Sequence, residues 1–446
     1  MSGGSRRLLG DVTGTFATRL ITIGLGIFTG IITARTLGPE NRGVFTLIAL
    51  FPASVVTLSK LGQGIAAVYF IRREKEDVSR VASNVLLIAL GTGTLLVALA
   101  FLLRPWLLST ILRGTPFWAF VLVLPMIPML LAESHLYGIL QSTDRFSVYN
   151  KRLLAESMLT LTGMAIVLLV LRLGLVGALV TVVTIRVAMN LWLIATIHRG
   201  SPLHLRFDPD LFRRMLRYGL KSHVQIIASH FHFKADIYLI ALYLDPKQVA
   251  FYAIAARLAE NIMHLPQSLG MALFPRLADS DVARAHTMTA AACRQTLALT
   301  ASAGAALIVI GRFLITAWYG TDYAPAGDPL PYVAAGIVMM SLYVLLSRNF
   351  TSRNKQFVNI SAAYLALGGN LALNIWLIPS RGIVGAAVAT LVSYSASAMI
   401  LLIVFLRESG LAWHEVLILK PSDVSRWRRM ALDLWSDLRR RMPARA

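Results

Sequence analysis

The chain has 446 residues, of which 56% are hydrophobic and only 15% charged, against roughly 25% charged in an ordinary soluble domain. A soluble enzyme is therefore excluded, and so is a nucleic-acid binder: the net charge of +21 is scattered between apolar runs instead of forming one compact basic domain. The single cysteine, Cys293, excludes an internal disulfide framework.

Met1–Gly10 is short and basic and leads straight into a full-length span, so no cleavable signal peptide is expected. Apolar runs near 20 residues, each long enough to cross a bilayer, follow at 11–36, 43–71, 84–103, 117–140, 153–171, 176–197, 218–244, 249–275, 293–318, 331–347, 357–378 and 383–406. The longest connection, 198–217, carries Asp208-Pro209-Asp210 and then Leu211-Phe212-Arg213-Arg214-Met215. This pattern predicts a short amphipathic helix lying on the membrane. Beyond Leu406, Val424, Trp427, Ala431, Leu434, Trp435 and Leu438 recur at helical spacing among arginines. That pattern fits an interfacial helix on anionic lipid, or a helix packed on the cytoplasmic loops.

The sequence repeats itself once at an offset of about 208 residues. Leu37-Gly38-Pro39 is matched by Leu244-Asp245-Pro246, each followed six residues after the proline by an aromatic, Phe45 and Tyr252. Gly174-Leu175-Val176-Gly177-Ala178 is matched by Gly382-Ile383-Val384-Gly385-Ala386, and Ser142–Phe146 by Ser352–Gln356. Duplicated halves in a membrane protein usually enclose a central pathway. The expected fold is an all-α polytopic membrane protein of about twelve transmembrane helices in two homologous six-helix bundles around a central cavity. Residues 1–197 and 218–406 form the bundles, 198–217 the connection and 407–446 a basic tail.

Charge orients the chain. With the amino terminus inside, one set of loops carries 30 of the 43 Lys and Arg residues and the opposite set carries 7. Lys and Arg are retained in the cytoplasm, so both termini are expected there. The remaining 6 lie within spans: Arg19, Lys60, Arg186, Lys234, Arg257 and Arg312.

An ionised group in hydrocarbon is costly and usually faces a cavity or a partner. Arg19 has no acidic residue one turn away, and Lys60 stands beside Gly62 and Gly64, which loosen the helix. Arg257 and Glu260 are i, i+3 neighbours and can partly neutralise each other. Lys234 and Asp236 are i, i+2 and face apart. Arg312, Glu133 and Glu156 can snorkel to a headgroup region. Arg19, Lys60, Arg257, Lys234 and Arg186 are therefore candidate substrate contacts. Their excess over unpaired acids favours an anionic or phosphate-bearing substrate. Asp236 and Glu260 are candidates for ion coupling. His230 and His232 point too far apart to share a metal ion, and no ATPase-type glycine loop or catalytic Ser-His-Asp set is present. Neither a cofactor nor a metal is expected.

Ala34–Phe45, with Arg35, Leu37–Glu40, Gly43 and Phe45 as the matching positions, closely resembles the first hairpin of bacterial polysaccharide transporters. These are the O-antigen-type oligosaccharide-lipid flippases of the multidrug/oligosaccharidyl-lipid/polysaccharide exporter superfamily. Leu61-Gly62-Gln63-Gly64 is similar to the glycine-rich end of that family's second helix, and Gly382–Ala386 looks like its last hairpin. The resemblance spans residues 11–406. It implies a V-shaped cavity, alternating access and residence in the bacterial inner membrane. The implied cargo is an undecaprenyl-pyrophosphate-linked oligosaccharide moved to the periplasmic leaflet for O-antigen or lipopolysaccharide synthesis, beside the polysaccharide-synthesis machinery. Related flippases hold the pyrophosphate with basic residues on the first, second and eighth helices, where Arg19, Lys60 and Arg257 stand here. The alternative within the superfamily is a cation or drug antiporter.

Overall fold

The computed structural model describes residues 3–204, 206–423 and 425, and every regular element among them is a helix. The first, α1 (Gly3–Ser59), covers the first predicted span and the start of the second and bends at Gly38 (φ 70°, ψ 170°), where Pro39 opens a second rod. Proline has no N–H and a fixed φ, which suits the first turn of a helix. The second span then breaks at Lys60-Leu61-Gly62 and resumes as α2 (Gln63–Arg72). Gly62 has φ 67°, and a Cβ there would lie 2.2 Å from the Gly219 carbonyl oxygen. Only glycine satisfies both the turn and that approach.

Next come α3 (Val78–Leu102), α4 (Arg104–Ser109), α5 (Phe117–Val123), α6 (Met126–Ser142), α7 (Phe146–Ala165), which runs into a π-helical turn at Ile166–Val170, and α8 (Gly174–Gly200). The chain continues through α9 (Pro209–Tyr243), α10 (Pro246–Glu260), α11 (His264–Ala278), α12 (Val282–Tyr319) and α13 (Leu330–Ser352). Another long element, α14 (Gln356–Ser409), bends at Gly382 (φ 57°) and supplies the last two rods. A short α15 (Trp413–Leu417) follows. With α1 and α14 each resolved into two rods, the helices account for about twelve membrane crossings. Large apolar side chains such as Leu102, Val170, Val309, Phe313, Phe357 and Trp376 are exposed. Such a surface fits hydrocarbon, where helices satisfy their own backbone groups.

One expectation is overturned. The Asp208–Met215 segment is no separate surface helix. Asp208 accepts hydrogen bonds from the Asp210 and Leu211 N–H groups, Pro209 occupies the first turn, and α9 continues unbroken to Tyr243. The amphipathic tail from residue 426 onward lies outside the described residues.

The chain divides into two compact units. The first comprises 1–254, 312–327 and 374–386; the second comprises 255–311, 328–373 and 387–446. In the first, Leu37, Met164, Leu168 and Ala178 form an apolar cluster. In the second, Leu345, Leu346, Phe350, Leu401, Phe405 and Val416 surround Cys293. The repeated turns share local geometry: φ is 55° at Asp144 and 57° at Asn354, and 58° at Gly174 and 57° at Gly382. Short polar side chains and glycine tolerate this left-handed region best.

Candidate substrate site

In the first unit, Lys60 is half-buried at the break between α1 and α2, where its N–H bonds the Val56 carbonyl and its own carbonyl accepts the Gln63 N–H and lies 3.3 Å from His135 Nε2. His230 and Lys234 stand one turn apart on α9, and Lys60 and Lys234 are both within electrostatic range of His230. The His230 Nε2 lies 2.9 Å from Ser54 Oγ. Ser54 Oγ accepts the Tyr238 hydroxyl at 2.7 Å, so its own proton is free to go to His230 Nε2. That arrangement fits the neutral tautomer protonated at Nδ1. Lys60 has no ion pair among the described residues.

Asp236 is buried, two residues from Lys234 and turned away from it by the helical periodicity. One carboxylate oxygen accepts the Tyr252 hydroxyl at 2.7 Å and the other accepts the Asn374 amide at 2.7 Å. Arg19 is exposed on α1 and Arg257 on α10, and Glu260 is partly buried at the end of α10.

Arg186 departs from the expectation that it is an unpaired cation. Its guanidinium lies 2.7 Å from Glu156 and 3.3 Å from Glu133. Glu133 and Glu156 do not act independently at a headgroup region either. Arg152, with a fully buried side chain, donates to Glu133 at 2.9 Å and lies 3.1 Å from Glu156. Tyr137 and Asn190 complete the group by bonding Arg152 and Glu133. Arg152 directly precedes the predicted span 153–171 and so is one of the 30 cations that the sequence assigns to loops. A signal was present: Glu133/Tyr137, Arg152/Glu156 and Arg186/Asn190 are three i, i+4 polar pairs on otherwise apolar helices. Two cations and two anions in one buried cluster balance each other, which makes this cluster a brace and leaves Lys60 as the candidate for meeting a ligand.

A polytopic helical protein with a lysine held at an intramembrane helix break has the build of a membrane transporter. The chain belongs to the polysaccharide biosynthesis protein family, which matches residues 8–280, more than half of its length. It is 24% identical over 192 residues, 42% of this chain, to the "Probable low-salt glycan biosynthesis flippase Agl15" of Haloferax volcanii. That match spans 41% of the relative's own length. Among solved structures, the lipid II flippase MurJ in an inward closed conformation superposes with a TM-score of 0.74 at 15% identity, covering 89% of this chain and 90% of that one. An inward-facing MATE-family multidrug resistance transporter of the MOP superfamily gives 0.73 at 14% identity, covering 86% and 94%. These structural likenesses are of fold. The chain is a multi-pass membrane protein with the MOP-superfamily fold.

Proposed function

We propose that the chain is a flippase that carries a lipid-linked oligosaccharide from the cytoplasmic to the periplasmic leaflet of the inner membrane, by alternating access, for cell-surface polysaccharide synthesis. The proposed cargo linkage is undecaprenyl pyrophosphate, and the two homologous bundles are 1–197 and 218–406. The observation that carries the reading is Lys60, which stands at a helix break within electrostatic range of His230 and has no ion pair among the described residues. A pyrophosphate placed there gains charge-assisted hydrogen bonds from the Lys60 ammonium. Arg19 and Arg257 enter as further cargo contacts through their places on the first and eighth helices. Membership of the polysaccharide biosynthesis family and the flippase relative support a glycan cargo.

Asp236, and more weakly Glu260, are the proposed coupling residues. A buried carboxylate that accepts hydrogen bonds from a tyrosine and an asparagine is a group that can take up and release a proton. The deciding experiment measures surface glycan in a strain that lacks its own transporter. Wild type restores the glycan, and a triple Arg19/Lys60/Arg257 alanine variant of normal membrane abundance does not. Normal export by the triple variant would sink the proposed site. Export of organic cations without any glycan phenotype would favour the antiporter instead. Orientation is tested with Cys293 replaced: a cysteine at Ser201 is expected to resist impermeant reagents in intact cells.

A further inference from the structure

At the end of the first unit opposite the basic loops lies a recess of about 600 Å³ lined by Arg113, Tyr243, Asp245, Gln248 and Arg381. Its walls come from the α3–α5 connection, the α9–α10 turn and the Gly382 bend of α14. By hairpin counting these turns share the membrane side of the Gly38 bend. Pro246 fixes the arrangement. A Cβ on Gly114 would come within 2.6 Å of its ring, and one on Gly43 within 1.7 Å of its carbonyl oxygen. The Arg113 loop is thereby held beside Asp245.

The internal duplication supplies a control. In the first half, the equivalent turns are Leu37-Gly38-Pro39 and Leu173-Gly174-Leu175. There Leu37 is buried in one cluster with Met164, Leu168 and Ala178, and Leu175 packs against it. In the second half, Asp245 stands at the place of Gly38 and Arg381 at that of Leu173. The same pair of turns surrounds an open polar recess. Gly38 and the exposed Leu173 carry no charge where the second half has Asp245 and Arg381, and Arg113 adds a further charge to the recess.

Arg113 and Arg381 are exposed and have no ion pair among the described residues. Two guanidinium groups at one recess suit an oxyanion, above all a phosphate they can grip with paired N–H bonds. One Asp245 carboxylate oxygen accepts the Gln248 backbone N–H at 2.8 Å, which leaves the other to accept a hydroxyl. The recess falls within the size range of small-molecule sites, about 300–1,000 Å³. We propose that it binds a phosphate ester that bears hydroxyl groups. Such a group is found on a glycosyl phosphate headgroup and on a glycerol-based anionic lipid. Assigning it to transported glycan rests on the function proposed above. Binding to the purified protein does not, so either can fail alone.

The test titrates glucose 1-phosphate, with inorganic phosphate in parallel, into the full chain purified in a neutral detergent. Glucose 1-phosphate is expected to bind, and the double variant Arg113→Gln/Arg381→Gln to weaken it at least tenfold while thermal unfolding is unchanged. If that variant does not fold, Arg113→Lys/Arg381→Lys replaces it and is expected to weaken binding several-fold through loss of the paired bonds. Asp245→Asn should weaken glucose 1-phosphate and leave inorganic phosphate unaffected. Arg104→Gln, on the same membrane side but outside the recess, should change nothing. A second arm adds lipid: displacement of glucose 1-phosphate by phosphatidylglycerol but not phosphatidylcholine identifies a lipid headgroup, and no displacement by either identifies a sugar phosphate. Absent binding, binding indifferent to both arginines, or equal weakening by Arg104→Gln would overturn the proposal.

Discussion

Two groups of charged side chains sit among the apolar rods of the first unit, and they are built in opposite ways. Around Arg152, two guanidinium groups meet two carboxylates, and a tyrosine and an asparagine take up remaining bonds. Around Lys60 the setting is different: His230 lies within electrostatic range of both Lys60 and Lys234, and Lys60 has no ion pair among the described residues. The first group is closed, with each charge answered inside the protein. The second leaves a cation open to something that arrives. Both read alike in a count of intramembrane charges, so pairing and not number separates a brace from a site.

The largest effect is expected from opening the closed group. Arg152→Ala leaves Glu133 and Glu156 to share the single, partly exposed Arg186, a loss of one buried partner that costs about 3–5 kcal/mol. Membrane abundance should fall steeply, and detergent-solubilised protein should unfold at a clearly lower temperature. Arg152→Lys should recover only part of this, because an ammonium cannot reach both carboxylates with a planar fork. An Arg152→Ala protein of normal abundance that had lost only transport would break the comparison and make the closed group a site.

At the open group the loss should be functional. Lys60→Ala removes a charge with no ion pair to strand, so abundance should match wild type. Surface glycan is expected to drop at least tenfold, and Lys60→Arg to keep part of it because the charge survives. Loss of abundance parallel to loss of glycan would show that Lys60 is structural after all. Asp236→Asn comes next in size. It keeps the side-chain volume and one acceptor but cannot carry a negative charge. Transport assayed in vesicles with an imposed proton or sodium gradient should fall several-fold and lose its response to the gradient. A preserved response would remove Asp236 from the coupling proposal.

The difference between the two groups also marks what the sequence can carry. The spans were legible because bilayer thickness fixes their length. The repeat was legible as a sequence pattern because turns that need a left-handed residue keep Gly, Asp or Asn at the repeated place, as Gly174 with Gly382 and Asp144 with Asn354 show. The break at Lys60 was half legible from Gly62 and Gly64. Arg152 was not: near the end of a predicted span it counted as a loop cation, and only the packing of α6, α7 and α8 brings Glu133 and Arg186 to it. The ion pairs of Arg186 were hidden for the same reason, since its partners are 30 and 53 residues away. Tertiary pairing leaves only the faint trace of i, i+4 polar spacing on each helix.

Asp208 gives the smallest effect and the sharpest separation of one interaction from another. Outside the membrane, it caps α9 through the Leu211 and Asp210 N–H groups and pairs with Arg80. Those backbone bonds first, and then the Arg80 guanidinium, hold its carboxyl below the usual aspartate value of 3.8. A depressed value means that the charged form stabilises the fold above pH 3.8 and that this contribution is lost as the pH falls through the native value. Asp208→Asn keeps a good capping side chain and loses the ion pair, which at this partly exposed position is worth about 0–1 kcal/mol. Asp208→Ala loses the cap as well, for a further cost of about 1 kcal/mol. Thermal unfolding at pH 7 should therefore rank wild type above Asp208→Asn above Asp208→Ala. Acidification should narrow the gap between wild type and Asp208→Asn, because it removes from the wild type the charge that the variant already lacks. The gap between Asp208→Asn and Asp208→Ala should not narrow, since an amide cap does not titrate. If instead the gap between wild type and Asp208→Asn stayed constant on acidification, the Arg80 ion pair would contribute nothing and the capping bonds alone would account for what Asp208 adds.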